Sequence, residues 1–105
     1  MTNETYNNRF SAMARLYGKR EAKIIKTMHV CVVGLGGVGS WAVEALARSG
    51  VERLTLIDYD TIAESNINRQ IHAGTKTLNV KKSQALVVRV KILILIVAVK
   101  ILMTS

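Results

Sequence analysis

The sequence predicts an α/β fold, the N-terminal portion of an incomplete Rossmann-like parallel sheet with flanking helices. Two apolar runs, at 29–33 and 54–58, are typical of buried strands. A glycine-rich turn and a helical pattern lie between them, which is the order of a strand–helix–strand unit with parallel strands. A third apolar run at 92–99 is compatible with a strand. A complete doubly wound sheet needs more strands than these, with helices on both faces.

The N-terminal segment is basic and has the pattern of two amphipathic helices. Residues 1–29 contain six basic and two acidic side chains. This surplus fits a nucleic acid partner and equally fits a solvated helix face, so both interpretations stay open. Four residues at helical spacing are predicted to pack rather than to recognise a ligand: Phe10, Met13, Ala14 and Tyr17.

The turn after the first strand has the sequence Gly34-Leu35-Gly36-Gly37-Val38-Gly39. Between a strand and a helix, such a turn indicates phosphate binding, because the first N–H groups of the helix face the anion. Gly34 permits the tight turn, Gly36 lets the backbone approach a phosphate, and Gly39 lets helix and strand pack closely. A glycine-rich turn that serves packing alone is the alternative.

The next helix and strand complete the unit. The helix ends at Gly50, and Glu44 and Arg48 form an i, i+4 pair on its solvated side. Asp58 ends the second strand, 19 residues after Gly39, near the spacing of a carboxylate that holds a ribose hydroxyl. The apolar stripe predicted to face the sheet consists of Val38, Ala42, Ala45, Leu46 and Ser49.

The segment 65–70, Ser-Asn-Ile-Asn-Arg-Gln, favours ATP over a dinucleotide. Hydride transfer needs no fixed asparagine and arginine here, whereas attack on the innermost phosphorus of a triphosphate builds negative charge. Arg69 can hold phosphate oxygens with its planar fork, and Lys82 can add a compact charge. Preorganised cations stabilise such a transition state more than the ground state. For Lys82 alone, an ordinary solvated lysine is the favoured interpretation.

Residues 9 to about 84 resemble the ATP-dependent adenylating enzymes related to ubiquitin-activating enzyme, which include the bacterial activators of the thiamine and molybdopterin sulfur carriers. The segments that carry this resemblance are 34–40, 54–60 and 65–70. Further segments resemble the tRNA threonylcarbamoyladenosine dehydratase branch, which uses ATP to activate a carboxylate and cyclises it with net loss of water. These segments are 9–10, 14–18, 41–50 and 68–73.

The resemblance implies cofactors, partners and site residues. It implies ATP and Mg²⁺ as cofactors, tRNA as substrate, a homodimer in intact relatives and a cytoplasmic location. Arg69 and Lys82 match catalytic positions, and Asp60 is a further candidate. The family usually has glycine where Asn79 stands and often proline where Lys81 stands. The implied nucleotide-binding positions are Gly34, Gly36, Gly37, Gly39, Asp58, Asn66, Arg69 and Lys82.

Two family features have no fixed position in this sequence. Relatives supply an N-terminal arginine, in some cases across a dimer, and both Arg9 and Arg15 qualify. The magnesium-binding aspartate of the family lies beyond the resembling stretch, and no Asp or Glu occurs after Glu64. We therefore predict no metal-ligating residue in this chain.

The composition changes after Gln84. Residues 85–103 are apolar except for Arg89, Lys91 and Lys100. We therefore divide the chain into 1–84, the N-terminal part of a nucleotide-binding adenylation domain, and 85–105, an atypical apolar tail. The tail is too short and too charged for a membrane span. Met1 to Asn8 lacks the order of a signal peptide.

The tail is also predicted to be an out-of-frame reading of a family sequence. Relatives carry Asn-Pro-Asn-Cys and then Asp-Asp-Phe downstream, and codons for 93–97 and 101–105 can spell both in one shifted frame. We accordingly expect the short chain to be inactive alone, with a tail that drives association rather than finishing the core.

The single cysteine and the two histidines limit the kinds of site that the chain can contain. Cys31 is the single cysteine, predicts no disulfide and is expected in the core of the first strand. His29 and His72 have no cysteine cluster near them, which argues against a metal site. Three functions remain open: an adenylating enzyme of the tRNA dehydratase type, an NAD- or FAD-binding oxidoreductase, and a non-catalytic remnant.

Overall fold

The computed structural model describes residues 2–93 and 98–102. Two helices, α1 (Asn3–Tyr17) and α2 (Lys19–Thr27), precede a parallel sheet. Its strands are β1 (His29–Val33), β2 (Arg53–Ile57) and β3 (Ala98–Leu102), in the spatial order β1-β2-β3. The helix α3 (Gly39–Arg48) connects β1 to β2, and α4 (Lys82–Leu93) precedes β3. Short 3-10 turns lie at Glu64–Asn66 and Thr75–Thr77.

The predicted strand–helix–strand unit is confirmed. β1 and β2 pair in parallel, with Val32 opposite Leu56, and β3 extends the sheet on the other side of β2. Leu54 and Leu56 are fully buried on the face that also carries Val32. The prediction that Cys31 lies in the core is wrong. Cys31 is exposed because side chains alternate along a strand, and the opposite face of β1 is open to solvent.

The helix α1 is fixed to the turn between α3 and β2. The hydroxyl of Tyr6 donates a hydrogen bond to the carbonyl of Gly50, whose φ of +87° suits glycine. Phe10 lies against Tyr6, with the ring centroids 4.7 Å apart. The expectation that Tyr17 packs is wrong, since this residue ends the helix and is 54% exposed, whereas Met13 packs against the core.

The buried face of α3 differs from the predicted stripe. The helix begins at Gly39, so Val38 precedes it and is 86% exposed. Two polar side chains point inward, which the apolar pattern could not predict. Glu44 does pair with Arg48, but it is buried rather than solvated. The buried residues of α3 are Ser40, Val43, Glu44 and Ala47.

The helix α4 crosses the predicted boundary after residue 84. Leu86 and Val90 are fully buried in the main core, so the expectation that the tail stays outside the core is wrong for this part. The strand predicted from residue 92 begins at Ala98, because residues 92 and 93 end α4. Residues 94–97 and 103–105 lie outside the described residues. The out-of-frame origin of the tail stays a prediction, as does the division into 1–84 and 85–105.

No helix in the described part of the chain is both long and apolar enough to cross a membrane.

Candidate nucleotide site

The glycine loop, which we define as residues 34–39, lies at the carboxyl edge of β1. Gly34 has φ +83°, and its N–H donates to the carbonyl of Ile57 at 2.9 Å. A Cβ on Gly39 would lie 1.7 Å from the carbonyl oxygen of Gly34. Gly39 is therefore required by the approach of α3 to the end of β1. A Cβ on Gly36, by contrast, would have only Gln70 Nε2 within contact, at 3.9 Å. Protein packing alone does not require glycine at position 36.

The loop presents free hydrogen-bond donors. Over residues 2–93 and 98–102, no acceptor binds the N–H groups of Gly36, Gly37 or Val38. The carbonyl of Gly36 accepts the N–H of Ser40 at 3.0 Å, so the loop continues directly into α3. Adjacent free N–H groups at the start of a helix are suited to a phosphate group.

Leu35 is bound through both backbone polar groups. Its N–H donates to Asp58 Oδ2 at 2.8 Å, and its carbonyl oxygen lies 2.7 Å from His72 Nε2. Asp58 Oδ1 in turn accepts the N–H of Asp60 at 2.7 Å. Asp58, the predicted ribose ligand, thus lies beside the loop and also orders its backbone. His72 was not predicted as a site residue, and its position just after the Asn-Arg-Gln segment was the signal available.

Burial governs the charge of His72. Its side chain is 5% exposed, and desolvation lowers its pKa below the usual 6.5. The hydrogen bond to Leu35 and the charge of Asp58 raise the pKa, and the charge of Lys82 lowers it. The net shift is downward, so His72 is neutral near pH 7. Its Nδ1 is buried and has no hydrogen-bond partner among the described residues.

Arg69 lies over the glycine loop. A Cβ on Gly37 would contact the aliphatic stem of Arg69 at 3.8 Å. The guanidinium donates to the carbonyl of Ser65 at 2.7 Å and to Asn68 Oδ1 at 3.2 Å. Trp41 of α3 donates its Nε1–H to the carbonyl of Arg69 at 2.8 Å. These bonds hold an exposed arginine beside the free N–H groups.

Asn66 and Lys82 are both nearly buried. Asn66 Oδ1 accepts the N–H of Ala63 at 2.8 Å, which leaves its amide NH₂ as the free part of the side chain. Lys82 is 8% exposed, so the interpretation of an ordinary solvated lysine is wrong. It begins α4, its N–H donates to the carbonyl of Asp60 at 3.0 Å, and its charge acts on His72. Lys82 therefore lies at the carboxyl edge of the sheet, where the glycine loop also lies.

The two N-terminal arginines lie elsewhere in this chain. Arg9 Nη1 donates to the carbonyl of Leu93 at 3.1 Å and borders an open cavity of about 330 Å³. Arg15 donates to Ser11 Oγ at 3.2 Å within α1. Within the described residues, neither side chain forms a hydrogen bond with the glycine loop. No three His, Cys, Asp or Glu side chains of the described part converge to hold a metal ion.

Comparisons with known proteins identify similar chains. Residues 8–102 match the ThiF family. The chain is 44% identical over 88 residues to tRNA threonylcarbamoyladenosine dehydratase of Escherichia coli, covering 84% of this chain and 33% of that protein. It is 47% identical over 90 residues to the Haemophilus influenzae protein of that name, covering 86% of this chain and 34% of the relative.

Comparison with solved structures also identifies the E. coli enzyme as similar to this chain. The E. coli tRNA N6-threonylcarbamoyladenosine dehydratase in complex with ATP superimposes with a TM-score of 0.93 and 39% identity, over 97% of this chain and 42% of that chain. Its complex with AMP superimposes equally well. The chain thus spans 33% to 34% of the length of these curated relatives, and its fold matches the Rossmann-like fold of the solved enzyme.

Proposed function

Since the chain belongs to the ThiF family, we propose that it supplies the nucleotide-binding part of an enzyme that adenylates a carboxylate with ATP. The carboxylate that we propose is the threonylcarbamoyl group of a modified adenosine in tRNA, which then cyclises with net loss of water. The names of the similar E. coli and H. influenzae proteins support this substrate. We propose a cytoplasmic location from the same substrate.

One observation carries the nucleotide assignment. The N–H groups of Gly36, Gly37 and Val38 are free, and the aliphatic stem of Arg69 lies beside Gly37. Donors and a cation on one small surface fit a polyphosphate, because each N–H and the guanidinium can take a phosphate oxygen. From its spacing we assign Asp58 to the ribose, and the bond from the N–H of Leu35 to its Oδ2 holds it beside this surface.

The proposed reaction needs charge stabilisation rather than a nucleophile from the protein. A substrate carboxylate oxygen attacks the α-phosphorus of ATP, the bond to the β-phosphate breaks, and pyrophosphate leaves with the electron pair. Arg69 and Lys82 would stabilise the charge that grows during this step, and the Asn66 amide would donate to a phosphate oxygen. A heteroatom of the carbamoyl group then attacks the activated acyl carbon and the group loses a proton. The bond between the acyl carbon and the phosphate-bound oxygen breaks, so the ring closes and AMP leaves with that oxygen.

The described residues do not form a magnesium site by themselves. Both oxygens of Asp58 accept backbone N–H groups, which leaves Asp60 as the neighbouring acid. Mg²⁺ is usually bound by one or two carboxylates together with substrate phosphates. We therefore propose Mg²⁺ only as a counter-ion carried by ATP.

The partner assignments follow from the surface of α1 and α2. Arg15, Lys19, Arg20 and Lys23 are exposed, and we propose that these cations contribute to tRNA binding. We also propose a homodimer, in which Arg9 or Arg15 of one chain reaches the nucleotide of the other. In its own chain Arg9 donates to the carbonyl of Leu93 and Arg15 donates to Ser11 Oγ, and neither donates to the loop within the described part, which supports a role across an interface.

The two alternatives have less support. A dinucleotide oxidoreductase would use the glycine loop and Asp58 but has no need for Arg69 beside Gly37. A non-catalytic remnant would not need a lysine that is only 8% exposed beside Asp60 at the start of α4, since a solvated surface would accept the charge at less cost. The similar solved enzyme holds ATP or AMP.

Nucleotide binding by the 105-residue chain tests the proposal. Calorimetric titration should give at least tenfold tighter binding of ATP than of NAD⁺. Tighter binding of NAD⁺ would favour the oxidoreductase, and no binding of either would favour the remnant. Because the described residues lack a magnesium site, we expect the chain to bind ATP without releasing pyrophosphate from it in the presence of tRNA.

The role of Arg69 is tested with a matched arginine. In a polypeptide competent for adenylation, Arg69→Ala should slow pyrophosphate release far more than it weakens ATP binding, because the charge grows during departure of pyrophosphate. Arg20→Ala removes the same charge from α2, where Arg20 is exposed, and should leave ATP affinity unchanged. An equal loss of rate and affinity in Arg69→Ala would instead show ground-state binding.

A further inference from the structure

The peptide unit between Leu35 and Gly36 is held by a hydrogen bond to its carbonyl oxygen, while its N–H is free among the described residues. The carbonyl oxygen of Leu35 lies 2.7 Å from His72 Nε2, and a carbonyl can only accept a hydrogen bond. Nε2 therefore carries the proton, and the imidazole is the Nε2–H tautomer. In a trans peptide the carbonyl and the following N–H point in opposite directions. The bond to His72 thus directs the N–H of Gly36 away from the core and toward the free face of the loop.

Without this bond the peptide unit has little to fix it. Gly36 has no side chain and adopts φ values of either sign without steric cost, so the preceding peptide can flip easily. A flipped peptide would replace the free N–H of Gly36 by the carbonyl oxygen of Leu35. An oxygen at this place would repel a phosphate. Asp58 holds the other end of Leu35 through its N–H, but that bond does not restrain the carbonyl.

Packing does not explain a histidine at position 72. The side chain is 5% exposed, and its Nδ1 is buried with no hydrogen-bond partner in the part of the chain that the structure describes. A buried acceptor without a partner is unfavourable, and a phenyl ring would fill the space without this cost. The feature that histidine adds is the Nε2–H bond to Leu35.

We propose that His72 is a positioning residue that holds the Leu35–Gly36 peptide in the orientation in which the N–H of Gly36 faces the anion. The hydrogen bond and its effect on the orientation of the Leu35–Gly36 peptide are inferred from geometry alone. The effect on ATP affinity rests on the proposed function. His72 does not touch the phosphates in this role and acts only through the backbone of Leu35.

Three substitutions separate this role from packing. His72→Phe keeps the ring and removes the donor. His72→Gln places an amide NH₂ at the same number of bonds from Cβ as Nε2, whereas the NH₂ of His72→Asn reaches only the position of Nδ1. Val90→Ala, in α4, is the control for lost stability, because Val90 is fully buried and forms no part of the loop.

Two measurements on the full chain decide the proposal. Nitrogen-15 spectra of the wild-type imidazole should show the Nε2–H tautomer at pH 7, and the amide signal of Gly36 should shift in His72→Phe but not in Val90→Ala. ATP affinity should fall about tenfold in His72→Phe and His72→Asn, return to within about threefold in His72→Gln, and stay within about twofold in Val90→Ala.

The two proposals fail in distinguishable ways. A wild-type chain that shows the tautomer and the Gly36 shift but binds no ATP supports the positioning role and contradicts the proposed function. An Nδ1–H tautomer, an imidazolium at pH 7, or averaged imidazole signals typical of an unfolded chain overturns the positioning role. ATP affinity in His72→Phe equal to that of wild type overturns it as well.

Discussion

Arg89 of α4 binds Glu44 of α3 at two points, Nε to Oε1 at 2.6 Å and Nη2 to Oε2 at 3.1 Å. Arg48 shares Oε2 at 2.7 Å. Burial raises the pKa of Glu44, but the hydrogen bonds and charges of Arg89 and Arg48 outweigh this effect and hold it below its usual 4.5. The helix α4 is therefore joined to α3 by an ion pair, and its Leu86 belongs to the same buried cluster as Val43 and Ala47 of α3.

Arg89→Ala should destabilise the fold more than Arg48→Ala. The first change leaves a nearly buried carboxylate with one partner and should lower the free energy of unfolding by about 2 kcal/mol, less than for a fully buried pair because Arg89 is itself 38% exposed. Arg48 is 59% exposed, and its i, i+4 pair is worth about 0.3–0.5 kcal/mol. Urea unfolding of both variants measures the difference, and equal losses would contradict the importance of the α3–α4 pair.

The sequence predicts the loop and its flanking elements because their signals are local. The apolar run of β1, the glycines and the spacing to Asp58 each lie within a single strand–helix–strand unit. The buried face of α3 was not predictable in the same way. Its polar members Ser40 and Glu44 are buried because their partners, the N–H of Ile71 and the guanidinium of Arg89, come from distant segments.

The role of His72 and the exposure of Cys31 depend on the same kind of long-range information. His72 has no local pattern, since its partner Leu35 lies 37 residues away in sequence. Cys31 stands in an apolar run typical of a strand buried on both faces, and only the sheet shows which face is open. Composition alone also could not predict the burial of Leu86 and Val90, because the apolar residues of a packed helix look like part of an apolar tail.

Gly36 and Gly39 should respond to alanine in different ways. Gly39→Ala places a Cβ 1.7 Å from the carbonyl of Gly34, so the loop must move and both stability and ATP binding should be lost. Gly36→Ala meets only Gln70 Nε2 at 3.9 Å, so the fold should keep its thermal midpoint while ATP affinity falls at least tenfold. Calorimetry and thermal unfolding measure both effects. Unchanged ATP affinity in Gly36→Ala would remove the glycine loop from the nucleotide site.

Trp41 should report nucleotide binding at Arg69. It is the single tryptophan of the chain and donates its Nε1–H to the carbonyl of Arg69 at 2.8 Å. A phosphate that draws the Arg69 side chain toward the loop should change the environment of the indole, so the fluorescence of the chain should shift on titration with ATP. Arg69→Ala should suppress the shift, whereas Arg20→Ala, at an exposed arginine of α2, should keep it. Unchanged emission at an ATP concentration that calorimetry shows to be saturating would contradict this arrangement.

The stability of the fold should fall as the pH drops below about 6.5 because of His72. Burial lowers the pKa of His72 in the folded state, and the charge of Lys82 lowers it further, whereas the Leu35 hydrogen bond and the charge of Asp58 raise it. The net pKa is lowered, so between the folded and unfolded pKa values the unfolded chain binds more protons. The contribution of neutral His72 is then fully present above the unfolded pKa. It is lost as the pH falls toward the folded pKa, with a slope of at most about 1.4 kcal/mol per pH unit.

Urea unfolding from pH 7.5 to 5 measures this slope, and His72→Gln, which does not titrate, should flatten it. Glu44 titrates below this window because its pKa is lowered from 4.5. A slope that is identical in wild type and His72→Gln would assign the dependence to other groups and contradict a neutral, buried His72.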